Sequence, residues 1–312
     1  MAFHSGFVCI LGLPNAGKST LLNALVGEKL AIISPKPQTT RNRILGVINS
    51  GGGKRKPKGQ VILIDTPGVH TPDSSLGRKM MSEVRDALEG SHLILLIVDV
   101  AARHNPVDPL VLDVVTKAKT PAFLLLNKID LLRGNKEKLL PLMERFREAH
   151  SFRQTIPISA RKREGLDLLL GKIIEALPEG PHYFDSDQLT DQPLRFMVAE
   201  AIREQIMFAT SEELPYTTSV VVEEFKEEPR LTRIAAVIYC EREGQKRILV
   251  GKGGSMLKKI GTAARLQIEK MVDTKVYLEL FVKVVPNWRD SGHFVDELDW
   301  RSQLNRLAGK GS

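Results

Sequence analysis

Three short segments carry glycine, hydroxyl and carboxylate residues in an order suited to binding a nucleotide. They are residues 12–19 (Gly-Leu-Pro-Asn-Ala-Gly-Lys-Ser), 65–68 (Asp-Thr-Pro-Gly) and 127–130 (Asn-Lys-Ile-Asp). The first has the G-x-x-x-x-G-K-S spacing, in which successive backbone N–H groups surround phosphate oxygens. Each segment follows an apolar run typical of a buried strand, so we expect all three at the carboxyl edge of one sheet.

In the first segment, which we call the phosphate loop (residues 12–19), the glycines allow tight backbone turns. A helix is expected to begin near Ser19, and its N-terminus favours anions. Lys18 can reach the β- and γ-phosphates, and the Ser19 hydroxyl can bind Mg²⁺. The predicted nucleotide contacts here are Gly12, Pro14, Asn15, Ala16, Gly17, Lys18, Ser19 and Thr20.

The second segment is suited to sensing the γ-phosphate. Asp65 would hold Mg²⁺ through a water molecule, and the Gly68 N–H can donate to the γ-phosphate. After hydrolysis that N–H loses its partner. A strand-end Asp-Thr-Pro-Gly is otherwise an ordinary turn, so its position after the phosphate loop gives it weight.

The third segment predicts selection of guanine. The Asp130 carboxylate can accept hydrogen bonds from guanine N1–H and the exocyclic amine, a donor pair that adenine lacks. Asn127 can brace the loop, and the stem of Lys128 can cover the ring. Ser159 and Ala160, which follow a further apolar run, could offer a backbone N–H to guanine O6.

These motifs resemble those of the translation-factor-related GTPases, and two further segments resemble the Era family. The two are Pro-Asn-Ala at 14–16 and Gln-Thr-Thr-Arg at 38–41. The resemblance covers nearly the whole chain. It implies a GTPase domain that binds GTP or GDP with Mg²⁺ and a C-terminal KH domain that binds single-stranded RNA. It also implies a role in assembly of the small ribosomal subunit and a target near the 3′ end of 16S rRNA.

The polar residues 33–44 are expected to form switch I, the loop that closes over Mg²⁺ and the γ-phosphate. The resemblance favours Thr40 as the Mg²⁺ ligand, because related GTPases place it just before Arg, and Thr39 remains an alternative. The predicted metal ligands are Ser19, Thr40 and Asp65. The predicted catalytic residues are Lys18, Thr40, Gly68 and Asn15.

Val69 stands where many small GTPases have a glutamine that orients water. An apolar side chain cannot do this by hydrogen bonding, so a main-chain carbonyl, His70, a partner or a cation must act instead. In related GTPases an Asn at the position of Asn15 helps to hold K⁺ against the phosphates. The alternative is that Asn15 only braces the loop.

The fold expected is α/β, with a P-loop GTPase domain at 1–180 and a small α+β KH domain with a C-terminal helix at 181–312. No leader or membrane-length apolar run is apparent. The two cysteines fall in different domains, which favours a reducing cytoplasm and excludes a disulfide framework. A monomer is expected, and weak peripheral contact with a membrane stays an alternative.

Charge does not locate the RNA site. The net charge is +8, yet residues 181–312 hold 19 Lys and Arg against 20 Asp and Glu. Residues 246–270, however, hold seven basic residues and one acid, around the sequence Gly-Lys-Gly-Gly at 251–254. This G-x-x-G pattern, followed by a helix, is typical of a KH loop that approaches a sugar-phosphate chain. An ordinary turn is the alternative.

Lys252 and Lys258 are expected to meet phosphates, and apolar side chains are expected to line a groove for unpaired bases. The predicted RNA contacts are Ile248, Val250, Gly251, Lys252, Gly253, Gly254, Leu257, Lys258 and Ile260. The basic segment 51–59 is expected to be an exposed hairpin tip. We expect it to be solvated, with RNA contact as the alternative. Residues 294–307 are expected to form one C-terminal helix.

Two other functions remain open at this point. The nucleotide site could be regulatory or structural in a protein that acts by binding RNA. A related GTPase could also act on another RNA or at a membrane surface, although no amphipathic basic helix is apparent.

Overall fold

The structure, a computed structural model, describes residues 2–53, 56–102, 107–132, 135, 137, 139–211 and 213–308. The chain forms two compact units. The first comprises Met1–Thr71 and Met80–Asp191, and the second comprises Pro72–Lys79 and Gln192–Ser312. Residues 181–191 thus group with the first unit, whereas the sequence places the domain boundary near 180. The limits of independently folding domains stay a prediction.

The first unit is built on a six-stranded sheet with the order β2-β3-β1-β4-β5-β6. Its strands are β1 His4–Leu11, β2 Ile44–Gly53, β3 Lys56–Asp65, β4 Leu93–Asp99, β5 Ala122–Asn127 and β6 Gln154–Ile158. Its helices are α1 Lys18–Val26, α2 Ser75–Glu89, α3 Pro109–Ala118, α4 Leu139–Ala149 and α5 Leu166–Ala176, with α2 divided between the units. Among the described strand pairs of this sheet, β2–β3 is antiparallel and the others are parallel.

The central strands are apolar without interruption because helices cover both faces of the sheet. All six residues of β5 are buried, as are the first six of β4. The strand register then brings the polar strand ends together. Ile10 lies opposite Asp65, and Asp99 lies opposite Asn127. The predicted motifs therefore meet at one edge of the sheet, as expected for an open α/β fold.

The second unit is built on a three-stranded sheet with the order β7-β8-β9, and its main hydrophobic core lies between one face of that sheet and the helices packed on it. Its strands are β7 Ser219–Glu228, β8 Leu231–Cys240 and β9 Lys275–Val284. Its helices are α6 Leu194–Ala209, α7 Leu214–Thr217, α8 Glu243–Val250, α9 Ser255–Val272, α10 Gly292–Leu298 and α11 Trp300–Ala308. Strands β7 and β8 are antiparallel, and β8 and β9 are parallel.

One expectation from the sequence, a single C-terminal helix over residues 294–307, is wrong. The C-terminal helix is broken at Asp299, whose extended backbone separates α10 from α11 and whose carboxylate accepts a hydrogen bond from the Arg301 N–H. The basic segment 51–59 lies at the turn end of the β2–β3 hairpin, as predicted, and the ladder extends into it through Gly51 paired with Lys58 and Gly53 paired with Lys56. Residues 54 and 55 lie outside the described residues.

Within the described residues, no helix combines the length and the hydropathy that crossing a membrane requires. Both cysteines are buried and unpaired.

Candidate functional site

The phosphate loop joins β1 to α1 and encloses the Lys18 ammonium. The Lys18 Nζ donates to the carbonyl oxygens of Gly12 at 3.1 Å and Leu13 at 2.9 Å. Burial lowers the pKa of Lys18 to about 8, and the nearby Asp65 carboxylate opposes that shift. Gly17 has a φ of 105°, and a Cβ there would collide with the side-chain amide of Asn127. Only glycine fits this position, because the strained backbone and the close approach coincide.

Three oxygen-bearing side chains converge beside this loop. The Ser19 Oγ donates to Asp65 Oδ2 at 2.6 Å, and the hydroxyl oxygens of Ser19 and Thr40 are 2.9 Å apart. The Thr40 hydroxyl also lies 3.3 Å from Asp65 Oδ2. By contrast, the Thr39 hydroxyl donates to the Lys36 carbonyl. The structure therefore brings Thr40, and not Thr39, to the predicted metal ligands.

This oxygen cluster fits a hard divalent cation. Asp65 is fully buried, and its Oδ1 has no hydrogen-bond partner among the described residues. Burial raises the pKa of Asp65 to about 6, while Lys18 and the two hydroxyl groups partly offset the rise. A buried carboxylate with an unsatisfied oxygen, next to two hydroxyls, has the oxygen donors that Mg²⁺ prefers.

The third motif is held by hydrogen bonds that tie three loops together. Asn127 donates through Nδ2 to the Ala16 carbonyl at 2.8 Å and accepts through Oδ1 from the Ala160 N–H at 3.0 Å. Asp130 Oδ1 accepts from the Ser159 hydroxyl at 2.7 Å. Asn127 thus braces the phosphate loop against the loop after β6, and the Ser159 hydroxyl holds the Asp130 carboxylate beside that loop.

Lys128 makes a contact that sequence reasoning missed. Its Nζ lies 2.6 Å from Asp99 Oδ2 and 2.8 Å from the Asn15 carbonyl oxygen. Asp99 ends β4 at the same sheet edge, and that strand-end position is the signal that could have identified it. The ion pair fixes the Lys128 stem across the phosphate loop.

A cleft of about 1100 Å³ runs along these motifs. Its lining includes the predicted residues Pro14, Asn15, Gly17, Lys18, Ser19, Thr20, Thr40, Gly68, Asn127, Lys128, Asp130 and Ala160. The other predicted nucleotide residues are not on the lining: they are Gly12, Ala16, Asp65 and Ser159, and all four are buried. The cleft is large enough for a nucleotide.

The residues around Gly68 offer no side chain in the glutamine position. Val69 is 1% exposed and packs in the core, so it does not face the cleft. The His70 Nδ1 lies 2.8 Å from the Gly68 carbonyl oxygen, which identifies it as the protonated nitrogen. Asn15 has a φ of 62° and donates through Nδ2 to the Pro35 carbonyl at 2.7 Å. Its Oδ1 remains available as an acceptor.

In the second unit, the Gly-Lys-Gly-Gly loop joins α8 to α9. Gly251 has a φ of 71°, and an added Cβ would lie 2.8 Å from the Met256 backbone nitrogen. Gly253 and Gly254 have φ values of 58° and 80°, and open space surrounds the position of a Cβ at each. The loop therefore exposes its backbone, and the side chains of Lys252 and Lys258 are exposed beside it.

A hollow of about 320 Å³ follows this loop, between α9 and β9. It is lined by Gly254, Leu257, Lys258, Gly261, Thr262, Arg265, Leu278 and Leu280. Three predicted residues are on this lining, and the helical spacing from 254 to 265 could have added Arg265. Of the others, Ile248 is exposed at the end of α8, Val250 is half-buried, and Ile260 is buried in the core.

Comparison with known proteins identifies both units. A family model described as a 50S ribosome-binding GTPase matches residues 7–128, and a KH domain model matches residues 213–289. The GTPase Era of Ruminiclostridium cellulolyticum is 44% identical over 98% of this chain and 100% of its own length. The GTPase Era of Syntrophus aciditrophicus is 47% identical over 96% of this chain and 95% of its own.

Two solved structures are similar to this chain over nearly its whole length. An Era solved with MgGDPNP and nucleotides 1506–1542 of 16S ribosomal RNA has a TM-score of 0.90, at 38% identity, covering 96% of this chain and 99% of its own. A single-site variant of Aquifex aeolicus Era bound to GDP·AlF₄⁻ has a TM-score of 0.89, at 39% identity with the same coverage. Motifs, geometry and near full-length similarity agree: the chain is a GTPase and belongs to the GTPase Era family.

Proposed function

We propose that this GTPase binds single-stranded RNA near the 3′ end of 16S rRNA and promotes assembly of the small ribosomal subunit. The observation that carries the proposal is the pairing, in one chain, of the nucleotide cleft with a KH hollow, in a fold similar to that of the relative solved with 16S rRNA. The family model that matches the nucleotide-binding half is described as a 50S ribosome-binding GTPase, which names the other ribosomal particle. We favour the small subunit because 16S rRNA belongs to it.

In the proposed mechanism, the phosphate loop holds the β- and γ-phosphates through its backbone N–H groups and Lys18. Ser19 and Thr40 would bind Mg²⁺ directly, and Asp65 would hold it through water, which fits the 2.6 Å and 2.9 Å contacts among these groups. When bound, Mg²⁺ neutralises charge on the phosphate oxygens. Gly68 would donate its N–H to the γ-phosphate, so that hydrolysis releases this loop and switch I.

A monovalent cation is our candidate for the missing polar group at Val69. The Asn15 Oδ1 would contact K⁺ beside the phosphates, while its Nδ2 keeps the bond to the Pro35 carbonyl. Because this bond also ties the phosphate loop to switch I, the cation site would form only when switch I is closed. The competing sources of the missing polar group remain His70, a main-chain carbonyl and a partner.

For RNA, the proposal places the sugar-phosphate chain against Gly251, Gly253 and Gly254 and the bases in the hollow. Lys252 and Lys258 would meet phosphates, and Leu257 would contact bases. Arg265 is engaged with Glu269 at 2.8 Å, so it is a fixed wall of the hollow. We also propose domains at 1–180 and 181–312, a monomer, and action in the cytoplasm. A weakly membrane-associated fraction is the alternative to a purely cytoplasmic location.

The test measures RNA binding and GTP hydrolysis in the same protein. Lys258→Ala is expected to weaken binding of a 16S 3′-end oligonucleotide and to reduce the salt dependence by roughly 0.7 in log–log slope. Lys270→Ala, near the far end of α9, is the matched control. Unchanged RNA affinity in Lys258→Ala, or equal loss in the control, contradicts the proposed site.

The rival function, an RNA-binding module with a structural nucleotide site, predicts a different result. In that case Lys18→Ala would leave function in cells intact while abolishing hydrolysis. We expect it to abolish both.

A further inference from the structure

Strand β9 of the second unit carries two exposed aromatic side chains that the proposed RNA contacts do not include. Tyr277 and Phe281 on strand β9 are 48% and 51% exposed. Because side chains alternate along a strand, both rings lie on one face of the sheet. Leu278 and Leu280 lie on the opposite face, where they line the hollow. A single exposed ring is normal, but two on one face of the strand that lines the hollow indicate a contact surface.

The part of this sheet face next to Phe281 is covered by the chain itself. Tyr239 on β8 packs edge-to-face against Phe294, with ring centroids 5.2 Å apart. Val237, which lies opposite Phe281 in the β8–β9 register, is 1% exposed. The uncovered aromatic surface is therefore a strip along β9, an edge strand of the sheet, bordered by exposed charged residues of β7 and β8.

The charges on this strip balance, which limits what can bind there. The charged groups on the strip and at its border are Lys226, Arg233, Lys275 and Lys283 against Glu223, Glu224, Glu228 and Glu279. Lys283 pairs with Glu223 at 3.4 Å, and Arg233 pairs with Glu228 at 3.3 Å. Glu279 lies between the two rings and would repel a phosphate. The strip thus suits uncharged planar groups, and the Arg233 guanidinium, 5.5 Å from the Tyr277 ring centroid, can extend the stacking surface.

The edge position of β9 connects this strip to the hollow. A nucleotide chain that leaves the hollow has only the width of β9 to pass before it reaches the other face. That width is about 4.8 Å, the spacing between strands. A KH loop clamps about four nucleotides, so the ends of a longer RNA must leave the hollow. The RNA solved with the related Era, nucleotides 1506–1542, is far longer than that.

We propose that bases leaving the hollow pass the edge of β9 and stack on Tyr277 and Phe281, which form a second, base-stacking RNA subsite. The inference rests on the proposed RNA-binding function and extends it to RNA longer than the hollow can hold. Each ring supplies a flat apolar surface that tolerates any base, so the subsite adds affinity without reading sequence.

The experiment compares two RNAs on the full chain: a four-nucleotide fragment that fills only the hollow, and a twelve-nucleotide fragment of the same 3′-end sequence. Phe281→Ala and Tyr277→Ala are each expected to weaken binding of the longer RNA about fivefold or more and to leave the affinity for the shorter RNA unchanged. Tyr277→Phe keeps the ring and should bind normally. Phe208→Ala removes a ring of 59% exposure on α6 and is the matched control.

The salt dependence separates bases from phosphates. Loss of a stacking ring should leave the salt slope unchanged, and a lower slope in Phe281→Ala overturns the stacking assignment. Equal affinity of wild type and both alanine variants for the longer RNA overturns the subsite. If the alanine variants change only self-association in sedimentation, the strip is a protein contact and the inference is wrong. If the wild type binds neither RNA, the proposed function itself fails.

Discussion

The hydroxyl oxygens of Ser19 and Thr40 lie 2.9 Å apart, although one belongs to the phosphate loop and the other to switch I. Both lie within 3.3 Å of the same carboxylate oxygen of Asp65. Switch I is therefore already folded over the predicted metal position in this structure. A cation that bound all three groups would fasten switch I to the phosphate loop, and its release would free the segment.

Thr40→Val should lower Mg²⁺-dependent GTP hydrolysis by roughly 10- to 100-fold, because it removes an oxygen from the metal site and keeps the shape. Thr39→Val is the matched control, since the Thr39 hydroxyl donates to the Lys36 carbonyl instead. The measurement is hydrolysis rate against Mg²⁺ concentration. A larger loss in Thr39→Val would move the ligand to the neighbouring residue.

Asp65→Asn should have opposite effects on the free and the bound protein. The nucleotide-free variant should melt at a higher temperature, because it no longer buries a charged group whose Oδ1 lacks a partner. The melting temperature should rise much less on adding Mg²⁺ and GTP than it does in the wild type. Thermal melts with and without nucleotide test both parts, and a large ligand-induced rise in the variant contradicts the role of Asp65.

Asp130→Asn should weaken GTP binding by roughly 10³-fold or more, because an amide cannot accept hydrogen bonds from both guanine donors. The variant should in turn bind xanthine nucleotide better, since the amide N–H can donate to the carbonyl oxygen that replaces the exocyclic amine. Competition between the two nucleotides measures the change. Retained preference for GTP would place base recognition elsewhere.

Hydrolysis should be faster in K⁺ than in Na⁺ at equal ionic strength, and Asn15→Ala should remove the difference. Asn15→Asp keeps an oxygen at the cation position and should retain part of the rate difference between K⁺ and Na⁺. Turnover in matched chloride salts is the measurement. Equal wild-type rates in the two salts would eliminate the cation and leave His70, a main-chain carbonyl or a partner.

Gly251→Ala should destabilise the second unit by roughly 1–3 kcal/mol, because the left-handed φ and the approach to the Met256 nitrogen act together. Gly253→Ala, with a similar φ and no neighbour within 4 Å, should cost less. Denaturant unfolding monitored by the buried Trp288 compares the two. Equal stability losses would mean that the close approach contributes nothing.

The sequence predicted those features that depend on short segments. Apolar runs identified the central strands, and polar residues at their ends identified the nucleotide cleft, because ligands bind at the carboxyl edge of such sheets. The basic Gly-Lys-Gly-Gly segment likewise identified the loop that opens the KH hollow.

Features set by tertiary register could not be predicted in this way. The Asp99–Lys128 ion pair joins the end of β4 to the base-binding loop, 29 residues away. Gln60 accepts hydrogen bonds from the Tyr183 and Phe184 N–H groups, more than 120 residues away. Ile260 and Leu257 share an apolar helical pattern, yet only the fold decides that the first is core and the second lines the hollow.

The central claim is most directly tested by footprinting 16S rRNA in small-subunit particles with this protein and either GDP or a non-hydrolysable GTP analogue. The account predicts protection near the rRNA 3′ end that depends on the analogue, because closed switch I marks the GTP state. Protection that is the same with both nucleotides would contradict the switch. Protection elsewhere, or none, would contradict the proposed RNA target while leaving the GTPase assignment intact.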